Sequence, residues 1–359
     1  MTSRFALASI LCWALSGPAA ACPVCIDLPE LTLADRVLGG QVVVLARPGM
    51  DDPFRFEAVE FLRGTSEDLD ALPEIPFLVS TIFRRKLLRD PASAMLLTYG
   101  PQLDEAGIYD GDAWHQTILV TPDRRQTLDH ILEDGAGWPW AATNEEDRFR
   151  FFASLLTHPD QAFVNTALAE VSRAPYRLIR TVADTVPPGR LRARLTRIED
   201  LPYAPVSILL LGLSRDAATQ DYVRHQFRTA LERGGLAVDA WAVAGIELDG
   251  AQAIAQIARA LRRSDLAPDR RDDLILALSV SGTAVQELRP QIAPILHRAS
   301  MRGVREAGTI AATLYEWRDW TLMEHYRNLL AQDDLEPATR FLLNAMVDGA
   351  LTLISAPGN

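Results

Sequence analysis

The residues best suited to chemistry sit early in the chain, at Cys22-Pro23-Val24-Cys25. Two thiols at this spacing can pair as a disulfide or exchange one. As thiolates they can instead hold a soft ion such as Cu(I), with the α-amine of Cys22 as a further donor. Thioredoxin-type reactivity needs such a pair at a helix N-terminus after a strand, where the thiolate is stabilised, and no strand precedes this one. Three readings stay open: a structural disulfide, a redox or copper-handling pair, and a lipidated Cys22 beside a free Cys25. Asp110-Gly111-Asp112 followed by His115 gathers oxygen and nitrogen donors that could take a divalent metal. The same Asp-Gly pair is also the chemistry of a tight hairpin turn, with Gly111 at positive φ, and that is the expectation. Trp138-Pro139-Trp140 could stack on a ligand, or could plug a seam between two parts of the molecule.

Other catalytic signatures are missing. The sequence holds no HExxH, no GxSxG, no P-loop and no glycine-rich dinucleotide fingerprint. Its histidines (His115, His130, His158, His225, His297 and His325) show no ligand spacing. The net charge of −11 argues against general nucleic-acid affinity. Lys86 is the only lysine, and Arg84-Arg85-Lys86 with Arg89 form the one basic cluster, read as a solvated face.

The first residues have the pattern of an export signal. Arg4 precedes an apolar run from Phe5 to Leu15, Gly17-Pro18 breaks it, and Ala19-Ala20-Ala21 fits the cleavage rule. Cleavage there leaves Cys22 first, which makes a lipid anchor the alternative to a soluble periplasmic or secreted protein. No stretch has the length and apolarity of a transmembrane span.

Two kinds of element must position these groups. Residues 35 to about 121 read as short strands at 41–46, 54–62, 74–80, 94–99 and 114–121. In the second, the alternation slips by one residue between Ala58 and Val59, as a bulge would make it. Five such strands predict a small oligonucleotide/oligosaccharide-binding (OB) type of barrel. From Asn144 the pattern is helical. Helices are expected from Glu145, from Pro159-Asp160, over Tyr176–Val186 and over Arg190–Ile198. One motif then recurs, beginning at Leu209, Ala242, Leu274, Thr309 and Phe341. A small residue stands fourth in each copy (Gly212, Gly245, Ala277, Ala312, Asn344), and Gly250, Gly282 and Gly349 close three copies. A fixed period of this size marks a solenoid of helix pairs, with partners expected at Asp221–Leu231, Ala251–Leu261, Val285–Leu296 and Leu322–Leu330.

The period resembles HEAT and HEAT-like phycobilisome-lyase-type repeats. The whole chain is similar to a group of uncharacterised exported bacterial proteins that join a Cys-Pro-x-Cys start to a small β domain and HEAT-like repeats. The matching residues are Cys22 to Cys25, Ala34-Asp35, Val42 to Arg47, Val59 to Gly64, Arg173-Ala174-Pro175-Tyr176 and Glu316 to Trp320. The β portion resembles netrin-like domains in outline. These readings give an α+β multidomain chain. A signal peptide occupies 1–21 and a small OB/netrin-like β-barrel 22–134. A linker at 135–144, a HEAT-like α-solenoid at 145–352 and a tail at 353–359 complete it. The expected function is non-catalytic: an exported scaffold holding a protein partner in the envelope, with no nucleic acid, no membrane span and no cofactor. A thiol-redox or copper role for Cys22 and Cys25 is the alternative, and a cryptic hydrolase the third.

Overall fold

The computed structural model describes residues 31–76, 81–104, 108–138, 146–332 and 335–355. Cys22, Cys25, Trp140 and residues 1–21, where an export signal is expected, lie outside them. The strand region forms one antiparallel sheet of β1 (Val42–Pro48), β2 (Phe56–Arg63), β3 (Ala94–Leu103) and β4 (Tyr109–Val120), ordered β2-β1-β3-β4. The sheet is open, with β2 and β4 as its edges, so the expected barrel is corrected to a four-stranded sheet. No strand covers 74–76. Helices account for the difference. α1 (Leu33–Gly39) precedes β1, and α2 (Ser66–Asp70) and α3 (Thr81–Arg89) lie between β2 and β3. α4 (Pro122–Asp134) follows β4.

Closure is unnecessary because both faces of the sheet are covered. Alternate residues of one strand point to opposite faces. Val43, Leu45 and Leu96 meet Val37 of α1 and Leu128 and Ile131 of α4. Val42, Val44, Met95 and Leu97 meet Leu87 of α3. A strand buried on both sides reads as a continuous apolar run, and Val42–Ala46 is one. The slip in β2 is real: Phe61, Glu60 and Ala58 pair with Val44, Leu45 and Ala46, so Val59 is passed over and stands 56% exposed. Gly111 has φ +94, but within an irregularity of β4 where Pro101 pairs with Asp112 and Leu103 with Tyr109. The hairpin connection lies at 104–108 instead, where the Ile108 N–H donates to Asp104 Oδ1.

The rest of the chain is helical. α5 (Glu146–Ser154), α6 (Gln161–Arg173), α7 (Tyr176–Ile179) and α8 (Pro188–Arg194) come first. The helix expected over Tyr176–Val186 stops after one turn and a 3-10 segment, before Asp184 at φ +58. α9 (Ala204–Gly212), α10 (Ala217–Arg233), α11 (Val238–Asp249), α12 (Ala251–Leu261), α13 (Pro268–Ala284) and α14 (Arg289–Ser300) follow. α15 (Val304–Trp317), α16 (Met323–Leu330) and α17 (Pro337–Ser355) end the described chain.

All five copies of the recurring motif fall on α9, α11, α13, α15 and α17. These helices pack so that residues about one repeat apart touch. A Cβ on Gly212 would lie 2.7 Å from that of Ala244, and one on Gly282 would lie 2.5 Å from the Trp317 ring. The Trp317 Nε1–H donates to Thr283 Oγ1 at 2.9 Å, and Arg305 pairs with Asp269 at 3.0 Å and with Asp272. Offsets that stay near the repeat length mean the helices run parallel and in register. Of the three closing glycines only Gly250, at φ +50, ends a helix; Gly282 and Gly349 are internal, packed on Trp317 and Tyr315.

Candidate functional site

The most heavily charged interior lies where the sheet meets the helices. Thr32 caps α1 through a capping box with Asp35, which fixes the Asp35 carboxylate at the base of that helix. Arg148 of α5 reaches it at 2.6 Å and also holds Glu170 of α6 at 2.8 Å. Arg173 of α6 binds the other Asp35 oxygen, and the Thr32 hydroxyl donates to Glu170. Asp35, Arg148 and Glu170 are all buried. Burial alone would raise the Asp35 carboxyl, but the Arg148 and then the Arg173 guanidinium hold it below the ordinary carboxylate range. Desolvation disfavours the Arg148 cation, and Glu170 and Asp35 more than restore it. Every charge here has a partner, so the cluster joins three helices and offers no free acid or base.

Beside it, Phe152 of α5 and Phe163 of α6 are fully buried in the same apolar core as Val43, Leu45 and Leu96 of the sheet. Trp138 packs on Phe151 and Phe152, with ring centroids 5.4 and 5.8 Å apart. Sequence reasoning missed Arg148 and Glu170 altogether. The Thr32-x-x-Asp35 capping box signals a helix start where the β region was expected to begin, but nothing in it points to Arg148 or Glu170.

A cavity of about 320 Å³ lies between the α5–α6 turn and α8, lined by Leu156, His158, Val164, Leu168, Arg190 and Arg194 among others. Arg194 is buried, donating to Asp200 and Asn165 at 2.6 Å each. His158 Nδ1 accepts the Asp160 N–H, which places the proton of the neutral ring on Nε2. No thiol or hydroxyl lines this cavity; its ionisable groups are His158, Asp200 and the arginines Arg190, Arg194 and Arg197.

The remaining sequence candidates are apart from these places. Asp112 accepts from Gln41 Nε2 at 2.6 Å and from the Tyr109 hydroxyl at 3.1 Å, while His115 Nε2 meets the Pro101 carbonyl. Burial and Arg36 lower the His115 pKa. Among the described residues, no group of three or more His, Cys, Asp or Glu is arranged to hold a metal. His297 and Asp319 do meet at 2.7 Å, and Asp319 also accepts the Thr321 hydroxyl, so the pair ties α14 to the α15–α16 connection.

In the array, Tyr176 of α7 and Arg180 both bond Glu247 of α11, which lays this segment against α11. The adjoining surface of α13, which α7 also touches, and of α15 is partly exposed. Asp272 and Arg305 pair at one end and Thr283 accepts from Trp317 at the other; between them Leu276 is 46% exposed, and Thr309 and Ala312 are also exposed. Among the described residues no helix is long and apolar enough to cross a membrane. No protein family, curated protein or solved structure matches the chain.

Proposed function

We propose that the chain is an exported, non-catalytic scaffold that holds a protein partner in the bacterial envelope, with α9 to α17 working as a HEAT-like α-solenoid. The observation that supports it most is the surface shared by α13 and α15. Parallel helices in register lay corresponding residues side by side, so Leu276, Thr309 and Ala312 form a shallow apolar strip bounded by Asp272–Arg305 and by Thr283 with Glu316. A ledge of this kind, apolar in the middle and polar at the ends, is how a stacked array offers a contact surface. The partner lies over the strip and meets the charged pair at its edge. The test is capture from an envelope extract under mild cross-linking, with full-length wild type and a Leu276→Arg/Ala312→Arg variant side by side. A protein retained by wild type and lost from the equally stable variant supports the reading. No specific capture by wild type, or equal capture by both, sinks it.

A further inference from the structure

Helix α3 turns Leu87 into the core, fully buried, with Phe83 beside it. At 100° per residue, its opposite arc carries Ile82, Arg85, Lys86, Leu88 and Arg89, all exposed. Ile82 is 69% and Leu88 62% exposed, which is unusual for large aliphatic side chains within one nine-residue helix. The helix contains no carboxylate, and Arg85, Lys86 and Arg89 enter no ion pair among the described residues. Beside the arc, the Arg84 guanidinium lies 4.2 Å over the exposed Phe54 ring, which widens the apolar area.

A groove of about 560 Å³ adjoins this surface, between α3 and the corner where β4 enters α4. Phe83, Lys86, Arg89, Ser93, Thr117 and Thr121 contribute to its lining. Its two carboxylates are already engaged. Asp90 accepts from the Ser93 hydroxyl and the Ala92 N–H, and Asp160 from Arg124 Nε and Nη2. Thr121 stands at the N-cap of α4 without a side-chain bond to that helix. The groove therefore offers cations outside any ion pair, with the Lys86 ammonium 6.0 Å over the Phe83 ring, and a hydroxyl, with room for a phosphate group.

A soluble anion would account for the cations but not for Ile82 and Leu88. An apolar protein surface would account for those two and leave the charges without counterparts. Both are satisfied at an anionic bilayer, where aliphatic side chains enter the acyl boundary and cations meet the headgroups. With a net charge of −11 the chain as a whole is repelled by such a surface, so a locally cationic face is needed to approach it. We propose that α3 and its adjoining groove dock the protein on an anionic phospholipid membrane, with a lipid phosphate seated between Lys86, Arg89 and Thr121. This holds whatever the α13–α15 surface carries.

The test is sedimentation of the full chain with vesicles of phosphatidylcholine alone and of phosphatidylcholine containing one quarter phosphatidylglycerol. Residues 1–21 are themselves apolar, so the comparison is between full-length wild type and full-length variants that share them. Wild type is expected to favour the anionic vesicles and to lose that preference in high salt. Arg85→Gln/Lys86→Gln/Arg89→Gln is expected to weaken the binding by roughly fivefold per cation removed. Ile82→Ser/Leu88→Ser is expected to weaken it too, and both variants keep the wild-type melting temperature because these side chains are exposed. Binding that is equal for wild type and both variants, or equal on the two vesicle types, overturns the proposal. So does competition by inorganic phosphate beyond its ionic strength, which makes the groove a soluble-anion site, or binding of duplex DNA in place of vesicles.

Discussion

At the scale of single residues, Arg148 settles more than any other side chain. It stands 2% exposed between Asp35 of α1 and Glu170 of α6. Removing it takes a cation from both buried carboxylates and leaves Asp35 to Arg173, so Arg148→Met is expected to cost about 3–5 kcal/mol in denaturant titration. The pH dependence follows from Asp35. Its folded pKa lies below the ordinary 3.8, so it contributes stability that is complete above that value and is lost as pH falls through the folded one. Without Arg148, burial remains as the main influence and the carboxyl moves upward. The variant is then expected to lose its stability gap to wild type as pH drops from 7 towards 3, and a gap constant over that range would show that Asp35 is not held as described. None of this was legible in the sequence. Asp35, Arg148 and Glu170 are separated by more than a hundred residues at the extremes, and only the packing of α1 on α5 and α6 joins them. Even Arg173 entered the sequence reading merely as part of a likeness, with no partner attached.

Among elements, what could be read was what repeats or alternates. A small fourth residue in the recurring motif lets a neighbouring helix come close, and Gly212 against Ala244 is such an approach. Gly212→Val therefore forces α9 from α11 and is expected to destabilise by about 1–3 kcal/mol, with Ala244→Gly recovering part of the loss. A single variant that melts with wild type would show that α9 and α11 are not in close contact at Gly212. The strands were mostly legible too, down to the slip at Val59, because alternation is a local signal. The helices around them were not. Thr81–Arg89 follows directly on residues 74–80, where a strand was expected, and the helix of α4 was not expected at all, so a barrel seemed complete when both faces needed covers. One feature of the array runs against stability. Burial, and then Asp239, Asp272 and Asp269, raise the Asp273 pKa. A raised carboxyl opposes folding at neutral pH and ceases to do so once it is protonated. Asp273→Asn is thus expected to raise the melting temperature at pH 7 and to lose that advantage by about pH 3, below the ordinary 3.8.

Across the whole molecule, the question is whether the sheet and the helices fold as separate bodies. The sequence places a boundary near residue 135, where strand periodicity gives way to helical periodicity. Period changes mark where elements change type; they do not mark where a core ends. The core under Val43, Leu45 and Leu96 is completed by Phe152 and Phe163, which belong to α5 and α6, and the ionic cluster of Asp35, Arg148 and Glu170 spans the same junction. A sheet that lacks one wall of its core has little independent stability, since a small domain needs nearly all its apolar surface covered. Phe163→Ala removes a fully buried ring and is expected to cost about 3–5 kcal/mol. The informative readout is where the loss is felt. If the two parts share one cooperative unit, the amides of Val43, Val44 and Leu96 lose hydrogen-exchange protection together with those of α6, though they lie in another part of the sequence. If the sheet is autonomous, its amides keep the wild-type rates while α5 and α6 open alone, and the common core is then only a contact between two folded bodies. The far end of the array serves as the internal reference. Among the described residues, the buried side chains of α15 to α17 belong to a different apolar cluster from that of the sheet and Phe163, and helices stacked with their neighbours transmit stability one unit at a time. Their exchange rates should stay unchanged in either case, so a global slowing or quickening cannot be mistaken for the coupling.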